Sequence, residues 1–160
     1  MKKIFFSLFI IFTVINSSYA AGSSSDSKTT SNYDKAVKLI KFAKKYEKKG
    51  KVDKANKRYE KALKLLLKSN IKKPNNADVL NYLGFTTRKL GDFNQGEKYY
   101  LEGLAIEPEH IGINEYLGEL YVATNRMDLA KERLEILKTC NCEEYQDLKQ
   151  IIDGTKKSKY

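Results

Sequence analysis

Residues 77–108 read ADVLNYLGFTTRKLGDFNQGEKYYLEGLAIEP, and the stretch from Ile111, IGINEYLGELYVATNRMDLAKERLEILKTC, writes the same unit again 34 residues later. Leu83-Gly84 returns as Leu117-Gly118, Gly96 as Ala130, and Tyr100 as Leu134. A fixed period in this range marks a solenoid, whose units are too small to bury their own apolar face and must stack on neighbours. Such a chain offers a curved surface for holding another molecule.

Working outward, a diverged unit precedes these two. Gly50, Ala55, Tyr59, Ala62 and Leu63 stand 41 residues before Gly91, Gly96, Tyr100, Gly103 and Leu104. The excess over 34 is seven residues, two turns of helix, falling between Leu66 and Lys73. Two whole turns keep the apolar stripe on one side, so the second helix of the first unit is expected to be longer and the stack unbroken.

Each unit divides into two helices around a turn. In the middle unit Val79, Leu80, Leu83 and Leu90 carry helical spacing to Gly91-Asp92. Phe93, Tyr99, Tyr100, Leu101, Leu104 and Ile106 carry it on to Pro108. The first unit has Ala36, Leu39, Ile40, Ala43 and Tyr46 before Lys49-Gly50, then Ala55, Tyr59, Ala62, Leu63 and Leu66. The third has Tyr116, Leu117, Leu120 and Tyr121 before Asn125, then Leu129, Ala130, Leu134 and Leu137. Asn76 and Asp128 are the candidate caps. A seventh helix, residues 143–153, opens on acids, closes at Gly154 and serves as the terminal lid that a solenoid needs. The fold class is therefore all-α: an α-solenoid of three helix-turn-helix units (about 36–73, 77–110 and 111–142) and a capping helix, within a domain spanning 33–154. A basic tail, 155–160, follows and is expected to be mobile.

The chain begins Met1-Lys2-Lys3, runs through a dozen mostly apolar residues to Ile15, and reaches Tyr19-Ala20-Ala21. This pattern is a secretory signal peptide cut near Ala20, too short in its apolar part for a spanning helix. Residues 21–32 lack apolar periodicity and form a flexible leader. The expected location is the periplasm. The two cysteines, Cys140 and Cys142, enclose one residue. An oxidising compartment permits a disulfide, but so tight a ring meets narrow geometric limits. A local disulfide, free thiols and intermolecular pairing all stay open. With one histidine, His110, the chain has too few ligands for a metal site, and no cofactor is implied.

At Leu83-Gly84, Gly91-Asp92-Phe93, Gly96, Tyr100, Leu104 and Pro108 the middle unit resembles the tetratricopeptide repeat (TPR). The third matches at Leu117-Gly118, Tyr121, Ala130 and Leu134. The pattern covers Ala36 to about Lys138, and two copies in register make it specific. Departures are Ala43 for the usual Gly, Thr87 for an aromatic, and Gly96 and Gly103 where Ala is commoner. Each such glycine weakens its helix by roughly 0.8–1 kcal/mol relative to Ala. The end of the chain, Cys142-Glu143-Glu144-Tyr145, looks like small exported bacterial members of this family.

The resemblance implies a protein or peptide partner held in a groove lined by the first helix of each pair. Lys44 and Lys48 would face it from the first unit, Asn81, Phe85 and Arg88 from the second, and Glu115 and Glu119 from the third. The groove would be cationic at one end and anionic at the other, with Phe85 an apolar anchor. Phe85→Ala with Arg88→Glu would then abolish capture and leave thermal stability nearly unchanged. The Lys/Asn/Arg set with which the family clamps a terminal carboxylate is not found here.

The chain carries +10 overall, unevenly placed. From Tyr33 to Lys73, 16 Lys/Arg face 4 Asp/Glu, a balance of +12; from Pro74 to Asp153, 8 face 15, a balance of −7. Such a field could steer an acidic partner, draw the first unit to anionic lipid or lipopolysaccharide, or pair two copies head to tail. Nucleic acid is disfavoured in an exported chain, although the charge alone would permit salt-dependent binding. No nucleophile–base set or phosphate cradle occurs. Cys140-Asn141-Cys142 lacks the spacing and the preceding strand of a redox motif. The chain reads as a scaffold and not as an enzyme.

Overall fold

A computed structural model describes residues 30–158; the expected signal peptide, most of the expected leader and the last two residues lie outside the described region. Seven helices follow one another: α1 (Asn32–Glu47), α2 (Val52–Lys72), α3 (Ala77–Lys89), α4 (Phe93–Ile106), α5 (Ile111–Ala123), α6 (Met127–Leu137) and α7 (Glu143–Ile152). The chain is an all-α repeat solenoid. Three antiparallel pairs, α1/α2, α3/α4 and α5/α6, stack in order, and α7 packs on α5 and α6.

The repeat is visible first in the turns. Gly50, Gly91 and Asn125 hold φ at +66°, +98° and +61°. In each case the next residue's N–H reaches back five residues: Lys51 to Tyr46 O, Asp92 to Thr87 O, and Arg126 to Tyr121 O. This closure satisfies the last carbonyls of the first helix, and glycine or asparagine is the residue that tolerates it. Gly154 ends α7 in the same way, with Thr155 N bonded to Gln150 O. That bond and an ion pair from Lys156 to Asp147 fold the start of the basic tail back onto α7, where a mobile tail was expected.

Helix starts are fixed by side chains. Asn76 Oδ1 accepts from Val79 N at 2.9 Å, and Asp92 and His110 do the same for α4 and α5. Ser31, which reads as leader in sequence, caps α1 in a reciprocal box with Asp34. Asp128 does not cap α6. That helix begins at Met127 after Arg126, so the carboxylate sits inside the first turn, still near the positive helix end.

The second helix of the first unit is 21 residues long, against 14 for α4 and 11 for α6, as the seven-residue excess requires. The core forms two clusters. One gathers Ala36, Ile40, Ala43, Ala55, Tyr59, Ala62 and Leu66 with Val79, Leu80, Leu83 and Phe85. The other joins Tyr100 and Leu104 to Ile113, Leu117, Leu120, Tyr121 and Ala130. Phe93, Leu101, Ile106 and Leu129, counted with the apolar stripes in sequence, lie at the surface because nothing stacks beyond the flanks of the outer helices. Cys140 and Cys142 are joined in a local disulfide, with Cα atoms 5.2 Å apart, in the link from α6 to α7.

Small residues set the helix crossings. A Cβ on Gly84 would lie 2.5 Å from the Tyr100 ring, and one on Gly118 would lie 2.5 Å from Leu148 Cδ2. Gly103, costly to its own helix, makes room for Ile113, whose Cδ1 would lie 2.4 Å from an added Cβ. Gly84→Ala is therefore expected to destabilise by about 1–3 kcal/mol through overpacking against a buried ring. In a solvated helix the same change gains stability. Urea midpoints of the wild type and the variant decide the sign.

Candidate functional site

The first helices of the three pairs, α1, α3 and α5, share one face. Side chains meet there across all three units. Lys44 Nζ of α1 lies 4.4 Å from the centre of the Phe85 ring of α3 and donates to Tyr116 Oη of α5 at 3.2 Å. The Phe85 ring stands 5.1 Å from that of Tyr116 and 5.9 Å from that of Tyr59. Tyr33 packs edge-on against Tyr82 at 5.8 Å. Lys89 Nζ meets Glu47 Oε1 at 2.6 Å, and Glu47 also accepts from Tyr59 Oη.

The groove expected from sequence is thus filled from within. Phe85 is buried, at 1 % exposure, and Arg88 is buried, at 2 %. Neither can serve as a surface contact. The reason is that α3 is the central helix of a three-unit stack, covered by α2, α4, α1 and α5. Lys44 and Tyr116 close over its inner face. Asn81 is also buried, with its amide where a Cβ on Gly112 would otherwise sit.

Glu115 and Glu119, expected as the acidic end of the groove, are buried as well. Arg88 Nη2 meets Glu119 Oε2 at 3.2 Å with both side chains fully enclosed, and Arg88 Nη1 donates to Tyr116 O at 2.6 Å. This ion pair ties the second unit to the third. Of the residues expected in the groove, Lys44 is half-exposed and Lys48 exposed. The expected acidic end is absorbed into the interior, leaving the exposed Lys41 and Lys48 on α1's side of this face and the exposed Asp78 beside Tyr33 and Tyr82.

Sequence reasoning missed the tyrosines. Tyr82 and Tyr116 stand 34 residues apart, at the same register, and both are half-buried on this face. Their counterpart in the first unit, 41 residues before Tyr82, is the exposed Lys41. That recurrence was the available signal. Burial raises the Tyr33 phenol to about 12, and holds those of Tyr59, Tyr82, Tyr100 and Tyr116 above the ordinary range; nearby Glu47 adds to the shift at Tyr59. These hydroxyls stay protonated at neutral pH; those of Tyr59 and Tyr100 are enclosed, and that of Tyr59 donates to Glu47.

No protein-family model matches the chain. No curated protein matches it either. Solved structures do. The first TPR domain of Spaghetti (RPAP3), bound to the HSP90 peptide SRMEEVD, is similar with a TM-score of 0.54 and 20% sequence identity, covering 79% of this chain and 97% of that one. At that identity the likeness speaks for the fold, a TPR-like solenoid, which agrees with the repeats and turns described above.

Two measurements check this geometry. Arg88→Ala removes the enclosed guanidinium that faces Glu119, and is expected to cost about 3–5 kcal/mol in chemical unfolding, reversing the expectation of a neutral surface change. Alkaline pH is expected to act through the tyrosines. Their folded pKa values lie above the unfolded value, so stability is level below about pH 10 and falls above it as the unfolded chain releases phenolic protons. Unfolding midpoints across that range, with phenolate absorbance recorded in parallel, test the sign.

Proposed function

We propose that this chain is a protein-interaction scaffold that takes an acidic peptide or the acidic face of a partner helix along α1, α3 and α5. The carrying observation is the meeting of Lys44, Phe85 and Tyr116 on one face. It leaves half-exposed tyrosines at matching register, bordered by the exposed Lys41 and Lys48. Tyrosine supplies rigid contact area with a polar tip at small entropic cost, and lysine supplies attraction to carboxylates. The neighbour named above was solved with a peptide rich in glutamate, which supports the peptide-binding reading. The family's terminal-carboxylate clamp is absent here, so an internal segment or helix face is the better ligand.

We place this work in the periplasm, after removal of a signal peptide near Ala20. The sequence of residues 1–20 supports that location, and so does the Cys140–Cys142 disulfide, since such bonds persist in oxidising compartments. A catalytic role is not proposed. The ionisable pair at the heart of the molecule, Arg88 and Glu119, is enclosed and holds two units together.

A photo-crosslinking residue placed at Lys48 or Tyr82 in living cells tests the face. One dominant protein adduct is expected from these positions and none from Lys98 on the outer helix α4. Lys41→Glu with Lys48→Glu should lower the adduct yield by about tenfold or more, since like charge across an interface is strongly repulsive. Equal adducts from Lys98 would refute the assignment.

A further inference from the structure

The two extra turns of α2 have no counterpart in the other units, and packing does not account for what they display. Leu66 is fully buried and closes the core on that helix. Beyond it, Leu67 is 38% exposed and Ile71 is 83% exposed, the most exposed large apolar side chain among the described residues. Lys68, Lys72 and Lys73 stand in solvent beside them. An apolar side chain so fully in water adds nothing to this fold.

The charge around it is equally particular. Every lysine of the first unit except Lys44 is exposed, and among the described residues none of those exposed lysines forms an ion pair. Of the later cations, Lys89, Arg126, Arg133, Lys138, Lys149 and Lys156 each meet a carboxylate, while the exposed Lys98, Lys131 and Lys157 form no ion pair among the described residues. On α2, Lys57, Lys61, Lys64, Lys68 and Lys72 follow one another at intervals of four, three, four and four. At 3.6 residues per turn these five fall within about 80° of arc, with Leu67 and Ile71 on the adjoining strip. Asp53 and Glu60 are the acids on that side of the helix, Asp53 in its first turn.

We propose that this face of α2 docks on an anionic lipid bilayer, lying flat, with the lysines at the headgroups and Ile71 and Leu67 reaching into the acyl boundary. A helix that combines a lysine-rich strip with neighbouring large apolar side chains suits that interface. Each lysine near an anionic surface adds to the attraction, and an apolar side chain that dips below the headgroups adds burial. A soluble polyanion would use the lysines and leave Ile71 in water, so the exposed apolar pair favours lipid. The docking face lies on a second helix, apart from the peptide face on α1, α3 and α5, and does not depend on it.

Flotation of the chain from Ala21 to Tyr160, with vesicles of phosphatidylcholine alone or mixed with phosphatidylglycerol, tests the proposal. Binding is expected to the mixed vesicles, to fade as salt rises, and to be weak on phosphatidylcholine. Lys64→Glu with Lys68→Glu should reduce partitioning by more than about tenfold. Leu67→Ser with Ile71→Ser should reduce it several-fold while leaving retention on heparin unchanged. Both pairs are at the surface, and circular dichroism verifies that each variant is folded. Wild-type partitioning by either variant would overturn the proposal. Lipid binding that loses nothing in the serine variant but follows heparin retention would overturn it in favour of a soluble polyanion.

Discussion

Two helices of a pair can close only where one backbone lets the other's side chain come down to it. In this chain Gly84 of α3 does so beneath the Tyr100 ring of α4, and Gly118 of α5 makes the same room for Leu148 of the capping helix α7. Everything on the inner face follows from how closely those crossings bring the layers together. Because α3 can settle fully into its pair, its remaining surface is presented to α1 and α5 at side-chain distance, and Phe85 is sealed by Lys44 and Tyr116. A looser crossing would have left a trough there. The family pattern supplies the small residues, but the number of units and their curvature determine how much of the trough survives.

That closure forces polar side chains inward. Asn81, Thr87, Arg88, Asn114, Glu115 and Glu119 are all buried on α3 and α5. Asn114 is well served: its amide donates to the carbonyls of Pro108 and His110, and Arg133 reaches its oxygen. Arg88 binds both a side chain and the Tyr116 carbonyl of the next unit. Desolvating such a pair offsets most of what its attraction returns. Its main contribution is therefore to fix which turn of α5 faces which turn of α3, a register that apolar contacts alone define weakly.

The period, the helix count and the long α2 were legible because they depend on local chemistry. A turn that needs positive φ selects Gly50, Gly91 and Asn125 wherever the chain is placed. Two extra turns must lengthen a helix without moving its apolar stripe. Ser31 and the fold-back at Lys156 were missed because each rests on one side chain that resembles ordinary polar surface. Phe85, Arg88, Glu115 and Glu119 were misplaced for a different reason. Their burial comes from contacts between units, and the prior that charged helix residues face water is sound for any single helix. Tyr82 and Tyr116 carried a readable signal in their spacing, but spacing does not tell a half-exposed ring from a core ring. The cysteine pair could not be decided from its separation, since closure of so small a ring depends on the backbone bend at Asn141, where φ is +49°.

The two ends of the stack are built on different terms. At the far end α7 lays Leu148 and Ile151 on the last pair, and its cations meet carboxylates, Lys149 with Asp153 and Lys156 with Asp147. The first pair has exposed lysines without carboxylate partners and three of the most exposed large apolar side chains, Phe42, Val52 and Ile71. Stacking alone would favour the opposite arrangement, because unscreened like charges repel along α1 and α2 and weaken the helices that carry them. A capping helix could have covered that end as α7 covers the other. Lysines without carboxylate partners and apolar groups in water are features that exposed interaction surfaces share.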